Sequence, residues 1–169
     1  MKNKINKNSI PQDFTIKLAL VDFMPVLFFA LAAIMISLSI NSIILSIGAI
    51  ICFLSGLFKV IWKIIVAVKR KNIWPLFIQM RIFMPIGFLI MIIGFIVYCI
   101  NNDSSIFFNS LLNPVTIIFL IIGFIGMILM IVFAVKLNSE DSKSNWIEQL
   151  VNGFSQLSFF IAFLLAYIL

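Results

Sequence analysis

The chain has no histidine at all, and only six acidic residues among 169. Without histidine, the usual haem axial ligand and the commonest general base are missing, and zinc loses a preferred ligand. Cysteine is scarce as well. Cys52 and Cys99 both lie inside apolar runs and read as small buried hydrophobes rather than redox or metal groups. There is no glycine-rich phosphate loop, no metal-ligand cluster, and no Ser–His or Cys–His pairing. The expectation is therefore a protein that is not an enzyme and carries no cofactor or metal. A cleavable leader is not expected either: the apolar segment after Met1–Asn8 is longer than a signal-peptide core and lacks a small-residue cleavage site.

What the sequence has instead is apolar surface. It is 63% hydrophobic and 11% charged, whereas a soluble domain carries about 25% charged residues. A soluble fold of this size has too little interior to hide that excess, so most of it must face lipid. The net charge of +6 does not point to nucleic acid, because the basic residues flank the hydrophobic segments, where membrane topology accounts for them. The reading is one all-α integral membrane domain over residues 1–169, placed as a multi-pass protein in the cell (inner) membrane.

The spans follow from the spacing of charges. Phe23–Phe58 is 36 residues without a charge. As one helix it would be about 54 Å long at about 1.5 Å per residue, against a hydrocarbon core of about 30 Å. The chain must turn inside it, and Ser39-Ile40-Asn41-Ser42 is the only polar cluster near the middle. Three further uncharged stretches, Ile82–Asn102, Val115–Val135 and Gln149–Leu169, each match one span. Five transmembrane helices are predicted, near 20–40, 42–67, 82–100, 114–136 and 146–168, after an arm at 1–19. Pro114 suits the first turn of the fourth. Asn145, three residues before Glu148, resembles a capping box for the fifth.

Every Lys and Arg lies in the arm, from the inner end of the second span to the start of the third, or from the end of the fourth to the start of the fifth. The positive-inside rule then puts the N-terminus in the cytoplasm and the C-terminus outside. Trp62, Trp74 and Trp146 fall at the inner boundary, and Tyr98 and Tyr167 at the outer one, as an interfacial aromatic belt would. The basic inner surface, including Arg81, suits anionic lipid headgroups.

Phe23-Met24-Pro25 and Phe83-Met84-Pro85 open the first and third spans alike, and Ser46–Ile50 resembles Ile121–Ile125. These likenesses suggest two tandem helical hairpins plus an unpaired fifth helix. Small residues mark expected helix contacts: Gly48, Cys52 and Gly56; Gly87 and Gly94; Gly123 and Gly126. Such faces serve packing within the chain or a homo-oligomer equally well.

Asp22 and Lys59 lie equally far from a turn centred between Ile40 and Asn41, so a hairpin places them at one depth, and a salt bridge is predicted. Lys63 is one turn from Lys59 on the same face. The fifth span is polar only in its first half. Glu148, Asn152 and Ser155 share a side of the helix, as do Gln149, Asn152 and Gln156. Lipid offers these groups no partner, so the stripe must face protein or a cavity. The expected site comprises Asp22, Lys59, Lys63, Arg81, Glu148, Gln149, Asn152 and Gln156. One reading is a small transporter or channel-like protein with a site in the inner half of the bundle. The other is a non-transporting membrane subunit whose stripe serves packing or partner binding.

Overall fold

The computed structural model describes residues 14–102, 104–137 and 141–169. All regular structure among them is helical: α1 (Ile16–Ile40), α2 (Ile43–Lys69), α3 (Trp74–Ile78), α4 (Met80–Asn101), α5 (Ser105–Leu111), α6 (Pro114–Lys136) and α7 (Ser142–Ile168). Five helical runs are long and apolar enough to cross a membrane: α1, α2, the joined α3–α4, α6 and α7.

Local chemistry sets the ends. Thr15 caps α1 by accepting the Leu18 amide, and Ser42 caps α2 by accepting that of Leu45. Between the two helices Asn41 adopts a left-handed conformation, φ 46°, which asparagine tolerates better than most residues. The predicted turn therefore closes with only Asn41 and Ser42 outside helix. The third span starts earlier than the charge pattern suggested, because Pro75 fits the first turn of α3. Gln79 then bridges to α4, its amide nitrogen donating to the carbonyls of Ser55 and Leu76. The fifth span also starts earlier. Asp141, not Asn145, is the cap of α7, its carboxylate accepting both the amide and the hydroxyl of Ser144. An acidic residue one turn upstream of the apolar pattern competes for the cap and lengthens the helix.

The helices pack in the order α4, α2, α1, α7, α6. This overturns the second hairpin. Among the described residues α4 and α6 do not pack along one another; α4 lies on α2, and α6 lies on α7. The two helices that resembled a repeat of the first hairpin stand at opposite ends of the row.

Close backbone approach explains the flanks. Gly48 faces Gly87: a Cβ on Gly48 would stand 2.6 Å from the Gly87 carbonyl oxygen and 2.7 Å from the Met91 nitrogen. Cys52 sits beside them and donates its thiol to the Met84 carbonyl at 3.5 Å. Gly94 lies against Leu45, whereas Gly56 turns to Val26 of α1. On the other flank Gly123 and Gly126 meet Phe159 and Ser155 of α7.

Two apolar clusters cap the ends. At the basic end Phe14, Leu18, Trp62, Val66 and Phe77 are buried together, with Trp74 and Trp146 packed on them. Trp62 is fully buried and donates its indole N–H to Asn72. It is a core residue and not part of a lipid-facing belt, because the hydrogen bond to Asn72 satisfies its one polar atom away from water. Phe14 and Leu18 likewise draw the end of the expected arm into the core. At the opposite end Ile40, Leu45 and Phe107 form the second cluster. Phe107 comes from α5, a helix inside what the sequence suggested was a loop.

Candidate functional site

Polar side chains concentrate where α1, α2 and α7 meet near the basic end. Asp22 of α1 is almost fully buried, and one of its carboxylate oxygens receives both lysines: Lys63 Nζ at 3.2 Å and Lys59 Nζ at 3.6 Å. The predicted pair to Lys59 is present, but the shorter and drier contact is to Lys63, whose side chain is 4% exposed against 25% for Lys59. Lys63 also donates to Asn145 Oδ1 at 3.5 Å and lies 5.4 Å from the Phe14 ring centroid. Asn145 is held in register because its own amide nitrogen donates to the Asp141 carbonyl at 2.9 Å. Glu148, on the next turn of α7, adds an attractive field at Lys63. Two cations and two carboxylates thus gather in one region, Asp22 and Lys63 buried in it and Lys59 and Glu148 partly exposed at its edge, and the buried charges are paired as burial demands.

Gln149 lies one turn beyond Asn145 and is buried. Its Oε1 and Asp22 Oδ2 have no hydrogen-bond partner. Gln149 also borders a cleft of about 80 Å³ between α1 and α7, walled by Val21, Met24 and Gly153.

The rest of the polar stripe turns elsewhere. Ser155 donates to the Gly123 carbonyl at 2.7 Å, and Gln156 donates to Met127 Sδ at 3.6 Å, both on α6. Asn152 is half-buried between the two sets. Arg81 is exposed and stands over the Phe77 ring at 5.1 Å, outside the cluster. The structure therefore brings Asp22, Lys59, Lys63, Glu148 and Gln149 to one place, and separates Arg81 and Gln156 from it. Two members were missed. Asn145 was taken for a cap, and Phe14 lay in the expected arm; the helical spacing of Asn145 and Gln149, four apart, was the available signal for the first. Outside the spans, the Ser144 hydrogen bonds hold the Asp141 carboxyl below its usual range. Among the described residues no three His, Cys, Asp or Glu side chains converge in a way that could hold a metal ion.

The class that emerges is a multi-pass, all-helical membrane protein with a buried ion-pair cluster at one end. No protein-family profile, curated protein or solved structure matches the chain, so the cluster is interpreted on its own geometry.

Proposed function

We propose that this is a non-transporting membrane subunit, oriented with its basic end in the cytoplasm, whose buried charges hold α1, α2 and α7 together. One observation carries the reading: Asp22 Oδ1 pairs with Lys63, and Lys63 donates to Asn145, under the Phe14–Trp62–Phe77 cluster. A solute pathway needs polar groups reachable from water, whereas Lys63 and Asp22 are almost wholly covered. The broad apolar faces of α4 and α6 are then surfaces for lipid, for a partner subunit or for a second copy. Exposed Lys69, Arg70, Lys71 and Arg81 suit anionic headgroups on the cytoplasmic leaflet.

A transport reading keeps one observation in its favour. Asp22 Oδ2 and Gln149 Oε1 are buried acceptors without partners, the kind of group that receives a proton or a cation. Flux measurements on the protein in liposomes separate the two. The subunit reading expects proton, sodium, potassium and chloride fluxes no greater than in empty vesicles. A flux that Asp22→Asn abolishes, in a variant still folded by circular dichroism, overturns it in favour of transport.

A further inference from the structure

An open cavity lies at the end away from the charges. Its volume is about 770 Å³, between the ends of α1, α4 and α7, beneath α5 and the start of α6. Its origin is topological. Because α4 and α6 sit on opposite flanks, the chain between them must cross over the ends of α1 and α7. Phe107 pins α5 into the Ile40–Leu45 cluster, and the remainder of the crossing spans a hollow.

The walls are of two kinds. Leu38, Ile106 and Leu112 make an apolar side. Ser39, Ser110, Asn109, Asn113 and the two tyrosines make a polar one. Ser39 and Ser110 each donate to a carbonyl of their own helix at 2.9 Å, which leaves their oxygens as acceptors. Asn113 uses its Oδ1 on the Val115 amide, which leaves its NH2 as a donor. Among the described residues the lining side chains carry no Lys or Arg, and no Lys or Arg occurs anywhere from Ile82 to Val135.

These walls select by charge and by shape. An anion finds no cationic side chain among the described lining residues. Water alone leaves the leucine and isoleucine side unfavourably wetted, and an acyl chain alone leaves the serine and asparagine side without partners. The volume lies within the range of small-molecule sites, about 300–1,000 Å³. We propose that this cavity binds an amphiphile without an anionic group: an apolar chain along Leu38, Ile106 and Leu112, with a hydroxyl- or amide-bearing head at Ser39, Asn109, Ser110 and Asn113.

The test uses the full chain in phosphatidylcholine nanodiscs and a monoacylglycerol carrying a photoreactive diazirine beside its glycerol. Adducts are mapped by mass spectrometry. The expected result is saturable labelling on residues 98 and 106–113, competed by unlabelled monoacylglycerol. A fatty acid bearing the same group leaves those residues unlabelled. Ser110→Trp, which fills the hollow, removes the labelling. Asn109→Leu, a gentler change of similar size, weakens competition by about tenfold, as expected for losing a polar contact to the head. Labelling that does not saturate, that is equal for the fatty acid, or that falls only on α4 and α6 overturns the proposal and identifies ordinary lipid contact.

Discussion

The two ends of the helix row handle polar groups in opposite ways. At the basic end Asp22, Lys63 and Asn145 are buried, matched in charge, and sealed beneath Phe14, Trp62 and Phe77. At the other end hydroxyls and amides border an open cavity under α5. The difference follows from desolvation. A charge taken from water must find its partner inside the fold, so its neighbours close tightly around it. A hydroxyl or amide at a membrane boundary can remain in contact with water, a headgroup or a ligand, and the surrounding helices are free to stay apart.

That contrast is most directly broken at Asp22. Asp22→Leu leaves Lys63 buried with its main partner gone, and a loss of about 3–5 kcal/mol is expected in denaturation measured in bicelles. Replacing Asp22, Lys59 and Lys63 together by Leu, Met and Met should recover most of it, since an apolar set of similar volume removes the unpaired charge as well. The two lysines should also differ. Lys59→Gln is expected to cost no more than about 1 kcal/mol, because its partly exposed pair is screened, and Lys63→Gln several times more. Equal effects would show that burial does not distinguish them.

The flanks give the next largest effect. Gly48→Ala drives a Cβ into the α4 backbone and should destabilise by about 1–3 kcal/mol. Gly153→Ala is the control of opposite sign. A Cβ there meets only Pro25 Cδ at 4.0 Å, so better helix propensity should stabilise by up to about 1 kcal/mol. Ser155→Ala, which loses the 2.7 Å bond to Gly123, should cost about 0.6 kcal/mol, the usual worth of a hydrogen bond between transmembrane helices.

The smallest effect is expected at Asp141. Its carboxyl is held low in the folded state by Ser144, so the cap contributes fully above the unfolded carboxyl range. That contribution fades as pH falls through the folded value. Amide exchange at the start of α7 should accelerate in acid, and Asp141→Asn, which still accepts the Ser144 amide, should flatten that pH dependence.

Much of this architecture is legible in one dimension. Charges cannot be spread through lipid-facing helix, so gaps between them count the spans, and a 36-residue gap demands a turn that Asn41 and Ser42 provide. The depth match of Asp22 and Lys59 needs only the helical rise and the position of that turn. Rotation about each helix axis is not legible in this way. It decides that Lys63 rather than Lys59 makes the shorter bond to Asp22, and that Asn145 reaches Lys63 instead of capping α7. The likeness of the first and third spans was misleading for a related reason: Phe-Met-Pro suits the start of any apolar helix and carries no information about its neighbour.

Composition and charge spacing by themselves determined that this chain is a five-span helical membrane protein, because the aversion of charge for hydrocarbon acts on each residue separately. Only the tertiary structure decided that α4 and α6 lie at opposite ends of the row, that the buried charges close on one another, and that α5 roofs a cavity lined by hydroxyls and amides. Those outcomes depend on which faces meet, and in lipid that choice rests on small-residue contacts and a few polar pairs rather than on the hydrophobicity that all five helices share.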